Sequence, residues 1–281
     1  MGEPRHLLIT GPGRSGSTIV QRILGQIPGV HMAGESGWAA RDRAEATCSC
    51  GVSAQRCPHW TALAAHLDWS DADWAEARDD AAWAHRHWNF GTVARQPEHA
   101  RACRYAHRQL ALLDAHAHVA GTAWTVDATK YSARALALWR TDPARVRVLW
   151  WSRAPADLVR AWGQGGDRRE QPQRSTAWVA LYDAVLSRQY RRISAEVPLT
   201  ALTYAQLRDE PTATAAALAA VLGVPDTAVT DALQRSPLAP GHVLTGNRNR
   251  HRACTWQPEA PAPPTRATAL MRELRDFLEA P

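Results

Sequence analysis

The stretch whose reading decides the fold is His6–Leu24, HLLITGPGRSGSTIVQRIL. His6 to Thr10 reads as a strand and Gly11 to Gly16 as a Gly-rich turn. Ile19, Ile23 and Leu24 then recur at helical spacing over Thr18–Gln26, until Pro28 and Gly29 end the pattern. A Gly-rich turn between strand and helix aims successive backbone N–H groups and the positive end of the helix dipole at one place, which suits an anion. Against the pattern G-x-x-x-x-G-K-[ST] the chain matches at Gly11, Gly16 and Thr18, but Ser17 stands where the lysine belongs. In nucleoside triphosphatases that lysine reaches the β- and γ-phosphates while the Ser/Thr hydroxyl holds magnesium. Here Arg14, Ser15, Ser17 and Thr18 offer a guanidinium and three hydroxyls, a set that grips a terminal oxyanion directly and needs no metal bridge.

Outward from this unit, Trp60–His118 is Ala-rich and helical in pattern, with Trp60, Leu63, Ala64 and Leu67 on one face. Strand signals return at Trp124–Thr129 and Val146–Ser152, separated by the helix-like SARALALWR, and again at Pro198–Thr203 after a long helical pattern that starts near Ser175. Strands alternating with helices predict an α/β fold: a parallel central sheet with helices on both faces, and a helical insertion at about 60–120 after the first βα unit. Residues 237–264 are Pro- and Gly-rich loop, and a last helix is expected over 265–279. One domain spanning 1–281 is the expectation for this length. The polar segment Gly165–Arg174 reads either as a solvated loop or as a flap over a site beyond the strands' carboxyl ends.

Apolar residues make up 45% and charged residues 21% of the chain, a globular profile that excludes a disordered chain. The net charge of +6 suits an anionic partner without specifying which. No stretch approaches the ~20 apolar residues of a membrane span and no signal-peptide core is visible, so a cytoplasmic enzyme with no membrane or nucleic-acid partner is expected. Five cysteines give an odd count, with Cys48, Cys50 and Cys57 clustered near His59. C-x-C followed by C-x-H is not a familiar zinc spacing, so free or paired structural cysteines are preferred over a metal site.

The segment GPGRSGSTIVQRILGQIPGVHMAGE resembles the 5′-phosphosulfate loop of sulfotransferases, especially the branch with an Arg-Ser-Gly-Thr-Thr pattern that includes tyrosylprotein sulfotransferases and many bacterial small-molecule enzymes. The resemblance implies 3′-phosphoadenosine 5′-phosphosulfate as donor, no metal requirement, and Gly13, Arg14, Ser15, Gly16, Ser17 and Thr18 as donor-binding residues. VRVLWWSRAPADLVRAW resembles the family's second motif, which implies that Arg153 holds the 3′-phosphate. The usual partner serine eight positions on is Ala161 here, with Arg160 or Ser152 as substitutes. VDATKY resembles a segment whose lysine lies near the transferred sulfonate, which implies that role for Lys130, the chain's only lysine. An ammonium there stabilises charge developing on the leaving nucleotide. TALTYAQLRDEP implies Tyr204 beside the adenine, and GHVLTGNRNRHR implies a loop of Gly246, Asn247 and Arg250 closing over the nucleotide, with Arg250 on the 3′-phosphate. These segments follow the family's order from residue 6 to about 250.

Transfer to a neutral hydroxyl needs a base, and Glu35 in MAGES matches the family's Gly-Glu. A histidine is the alternative base, with His31, His59, His85 and His87 among twelve and no motif to select one. Trp38, Trp60, Trp69, Trp74, Trp83 and Trp88 crowd the region after Glu35, either as walls of an acceptor pocket or as helix packing. The expectation is therefore a sulfotransferase acting on a small-molecule or glycan hydroxyl, in the manner of enzymes of bacterial secondary metabolism. The rivals are a nucleoside-triphosphate kinase with a degenerate loop and a nucleotide-binding module without turnover. The oligomeric state, a homodimer included, stays open.

Overall fold

The computed structural model describes residues 2–164, 172–246 and 251–280. Five strands, β1 Arg5–Thr10, β2 Val30–Gly34, β3 Trp124–Lys130, β4 Val146–Ser152 and β5 Leu199–Thr203, form one parallel sheet in the order β2-β3-β1-β4-β5. The chain leaves central β1 toward β2 and β3, then crosses over to β4. The carboxyl end of β1 is thus a topological switch point, where open α/β sheets bind ligands.

The helices are α1 Ser17–Leu24, α2 Ala39–Asp42, α3 Pro58–Leu67, α4 Asp71–Ala84, α5 Phe90–Arg95, α6 Ala100–Ala120 and α7 Ser132–Thr141. After β4 come α8 Pro155–Gly163, α9 Thr176–Ser194, α10 Tyr204–Asp209, α11 Pro211–Leu222, α12 Asp226–Gln234 and α13 Arg266–Glu279. The run from α3 to α6 fills the stretch read as helical, and all of it precedes β3.

The two-residue period of β1 explains why helices cover both faces. Leu7 and Ile9 pack with Val126, Leu149 and Trp151 against α1, α11 and α12, whereas Leu8 packs with Val146 and Val148 against α6 and α7. Each fully buried Leu or Ile contributes on the order of 2 kcal/mol relative to exposure. A third apolar cluster joins Trp60 and Leu63 of α3, Trp74 of α4, Leu112 of α6 and Leu244. Strand β2 was not foreseen: VHMAG is an edge strand of five residues interrupted by His31, too short and mixed to stand out as a strand. Among the described residues no helix is long and apolar enough to cross a membrane.

Candidate active site

A cleft of ≈ 1050 Å³ opens at the carboxyl end of β1. Its floor is the Gly-rich loop, which only glycine and a left-handed backbone can build. Gly11 has φ +128°, and a Cβ there would lie 2.3 Å from the Trp151 carbonyl oxygen in β4. Gly16 has φ +90°, and its Cβ would lie 2.7 Å from the Tyr204 ring. Gly16 caps α1 with no side chain bonded to the first turn, so the leading N–H groups remain for a ligand. Neighbours fix the loop: Gly13 N–H donates to the Tyr182 hydroxyl (2.9 Å), the Trp151 indole donates to the Ser15 carbonyl (2.9 Å), and Arg153 donates to the Arg14 carbonyl (3.2 Å). Burial pushes the Tyr182 phenol up to about 12, which keeps it neutral. Gly13, Arg14, Gly16, Ser17 and Thr18 line the cleft. The Ser15 hydroxyl is buried, with no hydrogen-bond partner among the described residues.

Glu35 follows β2 and Lys130 ends β3, and the sheet brings them together across 95 residues of sequence. The Lys130 ammonium donates to the Glu35 carboxylate and, at 2.9 Å, to the Ala128 carbonyl. Lys130 has φ +71°, a strained conformation for a side-chain-bearing residue, and it aims the chain's one lysine into the cleft. Buried Asp127 sets the geometry of both. Its carboxylate accepts from Ser36 N–H (3.0 Å), the Ser36 hydroxyl (2.5 Å), Thr129 N–H (3.0 Å) and the Thr129 hydroxyl (2.9 Å), with Arg134 at 3.2 Å. Burial pushes this carboxyl up, but Arg134 and the four donors outweigh it and hold it below the ordinary range. Asp127 thereby staples the residue after Glu35 to the residue before Lys130.

At the other end of the loop, Arg153 is buried directly after β4. It lies 4.6 Å over the Tyr204 ring, pairs with Glu259 at 2.7 Å, and its Nε has no hydrogen-bond partner among the described residues. Arg153 lines the cleft, and a buried guanidinium with an unpartnered nitrogen there fits an anionic ligand group such as a phosphate. Ala161 also lines the cleft; neighbouring Arg160 does so too, while bonded to Asp157 (2.9 Å) and the Ala260 carbonyl (2.9 Å). Gly246 stands against Glu35, where a Cβ would lie 3.8 Å from Oε1. Asn247 and Arg250 lie outside the described residues, as do residues 165–171 of the expected flap.

One wall of the cleft is aromatic. His87 lies 5.3 Å from Tyr131 and 5.5 Å from Tyr182, and Trp38 lies 5.7 Å from Tyr131. His85 sits behind this wall, stacked on Tyr131 at 4.4 Å and bonded to the Tyr105 hydroxyl at 2.7 Å. Burial, then Arg134, Arg41 and His87, hold it well below the ordinary imidazole range. Burial lowers His87 as well, leaving a neutral imidazole at the cleft. Of the six tryptophans that crowd the sequence after Glu35, Trp38 alone lines the cleft; Trp60 and Trp74 are core, and Trp88 is exposed. His31 and His59 lie together with His116 rather than at the cleft.

Several lining residues carried no signal in the sequence. Tyr182 and Trp162 come from α9 and α8 without a motif. Arg22 of α1 donates to the Arg252 carbonyl (3.0 Å), and Glu259 reaches Arg153 from the Pro-rich tail. The packing of this tail against the cleft depends on long-range contacts that no local pattern records.

A family model described as the sulfotransferase family matches residues 6–228. The chain belongs to the sulfotransferase family. Similar solved structures include the sulfotransferase domain from the curacin biosynthetic pathway, at 12% identity and TM-score 0.52 with 96% of each chain covered. Another is the sulfotransferase domain from the Synechococcus PCC 7002 olefin synthase, at 16% identity and TM-score 0.52, covering 96% of this chain and 93% of that one. At these identities the likeness is one of fold. No curated protein matches the sequence.

Proposed function

We propose that the protein transfers the sulfonate group of 3′-phosphoadenosine 5′-phosphosulfate to a hydroxyl of a small molecule or glycan, by in-line displacement. The observation that carries this reading is the contact between Glu35 and Lys130 beside a phosphate loop that lacks its lysine. In-line transfer asks the protein for position and for charge at the two oxygens, one losing a proton and one gaining charge. Glu35 and Lys130 supply one group of each kind. As Glu35 accepts the proton of the incoming hydroxyl, its carboxylate is neutralised and ceases to compensate Lys130. The ammonium then turns its full charge toward the leaving oxygen.

The loop N–H groups with Arg14, Ser17 and Thr18 bind the 5′-phosphosulfate end, Ser15 supporting them from below. Arg153 holds the 3′-phosphate and Tyr204 lies beside the adenine; Gly246, Asn247 and Arg250 belong to the segment assigned to cover the nucleotide. The neutral aromatic wall of Trp38, His87, Tyr131 and Tyr182 suits an acceptor with a flat or sugar-like face. No step calls for a metal. A kinase would bring magnesium and need a cation at the position Ser17 occupies, and a module without turnover would have no use for a base paired with a lysine.

Turnover of a sulfur-labelled donor against a panel of phenols, alcohols and glycans tests the reading. Glu35→Gln and Lys130→Ala should each lower turnover about 10²–10⁴-fold, with nucleotide affinity changed little. Wild-type turnover in Glu35→Gln would remove Glu35 as base, and phosphoryl transfer from magnesium–ATP would replace the whole reading.

A further inference from the structure

We propose that Cys48, Cys50, Cys57 and His242 form a closed structural zinc site that fastens the segment before Gly246 to the wall of the cleft. The three cysteines lie between α2 and α3, and the histidine comes from the tail some 185 residues later. The four ligand atoms all lie within 4.8 Å of one another. Cys57 Sγ is 3.3 Å from His242 Nδ1, Cys48 Sγ is 4.0 Å from the same nitrogen, and Cys50 Sγ is 3.6 Å from Cys57 Sγ. A tetrahedral ion with Zn–S of about 2.3 Å and Zn–N of about 2.0–2.1 Å has S···S edges of roughly 3.8 Å and S···N edges of roughly 3.6 Å. The two S···N separations bracket their edge, and the S···S separation lies just under its own. All five cysteines are free thiols, so no disulfide uses these sulfurs.

The surroundings hold the ligands from both sides. The Ser49 hydroxyl, between two of the cysteines, donates to the Gly241 carbonyl (2.8 Å) and accepts from Val243 N–H (2.8 Å); Ser49 N–H donates to the Val243 carbonyl (2.9 Å). The Trp60 indole donates to the His242 carbonyl at 3.1 Å. His59, which the sequence placed beside the cysteines, instead stacks on the His242 ring at 5.3 Å and is held in turn by His116 at 2.9 Å. A bonded and stacked neighbourhood of this kind fixes the orientation of a ligating imidazole.

Three thiolates and one imidazole in a tetrahedron are the donor set of structural zinc. Four protein ligands leave no open position for chemistry, and none of the four residues lines the cleft. Binding exchanges the three thiol protons for the divalent ion, with no change of oxidation state. Just beyond His242, the Thr245 hydroxyl donates to Asp42, and Thr245 and Gly246 line the cleft next to Glu35. The ion would therefore set the position of that wall without touching the reactants, and this inference stands whether or not the proposed donor is right.

The test is metal analysis of protein purified without a metal-affinity tag, followed by chelator treatment and cobalt substitution. The expected result is about one zinc per chain, a melting temperature that falls on chelation and recovers with one equivalent of Zn²⁺, and thiolate-to-cobalt charge-transfer bands on Co²⁺ loading. Cys50→Ser, at an exposed ligand, should fold yet lose at least nine-tenths of the zinc after passage over chelating resin, whereas Cys103→Ser, outside the group, should keep it. Less than a tenth of an equivalent from zinc-replete cells with no thermal response to added Zn²⁺ would overturn the proposal. So would a native Cys50–Cys57 disulfide, or full zinc retention in both Cys50→Ser and His242→Gln.

Discussion

At the loop end of the cleft, residues 13–18 supply backbone N–H groups, a guanidinium and hydroxyls from one continuous turn. At the aromatic end, Trp38, His87, Tyr131 and Tyr182 converge from four separate segments. The first is dictated by local backbone geometry: two glycines at positive φ, between a strand and a helix, leave few other conformations. The second depends on the sheet and the helical insertion being assembled first. A site of the first kind tolerates change around it but not within it, and a site of the second kind is sensitive to everything that packs behind it.

The largest effect should come from breaking the loop end at its least tolerant point. In Gly16→Ala the new methyl group meets the Tyr204 ring at 2.7 Å in a backbone conformation of φ +90°. A loss of about 1–3 kcal/mol is expected, or roughly 2–4 °C of melting temperature per kcal/mol for chains of this size. Thermal unfolding reads it directly, and an unchanged midpoint would show that the loop is less constrained than its geometry implies.

A smaller effect probes the aromatic end from behind. Burial holds His85 well below its ordinary range, with Arg134, Arg41 and His87 acting in the same direction, and it is bonded to Tyr105 and stacked on Tyr131. Its folded pKa is lowered relative to the unfolded chain, so the unfolded state takes up a proton below about pH 6.5 that the folded state refuses. The stability contribution is present above that pH and declines as pH falls, at about 1.4 kcal/mol per pH unit. His87 adds in the same sense. Denaturant unfolding between pH 7 and pH 5 should show a shallower pH slope for His85→Gln than for the wild type, by close to one proton. Equal slopes would mean that His85 is not the neutral support of this wall.

The smallest effect returns to the loop end. Glu259 is an exposed carboxylate paired with Arg153, at the position the proposal gives to a 3′-phosphate. Glu259→Gln removes a competitor for that guanidinium, and with the carboxylate open to water the pair is worth at most about 1 kcal/mol. Nucleotide affinity should rise by roughly threefold, within that bound; weaker binding would make Glu259 a contributor to the site instead.

The same contrast explains what the sequence disclosed. The loop was legible because its glycines, strand and helix are contiguous; β4 was legible as a nearly apolar run, and β3 as an alternation of Trp124, Val126 and Ala128 with Thr125, Asp127 and Thr129. Glu35 and Lys130 stood out singly, but their contact is created by parallel pairing of β2 with β3, and β2 itself was too short and mixed to be read. The tryptophans left pocket wall and helix packing undivided because a count says nothing about which face of a helix each occupies: Trp38 reaches the cleft, while Trp60 and Trp74 fill the core. His242 was invisible as a neighbour of the cysteines because 185 residues separate it from Cys57, and His59 drew attention only by adjacency. The tail carries no local pattern beyond loop, yet Glu259, Thr245 and Gly246 belong to the cleft.

On the proposed function, the lysine-less loop and Arg153 together recognise a nucleotide carrying both a 5′- and a 3′-phosphate. Calorimetric titration without magnesium, comparing 3′-phosphoadenosine 5′-phosphate with AMP and ATP, tests it most directly. Saturable 1:1 binding of the bisphosphate is expected, with at least tenfold weaker binding of AMP and the same loss for the bisphosphate in Arg153→Ala. Binding of ATP alone, and only once magnesium is added, would contradict it.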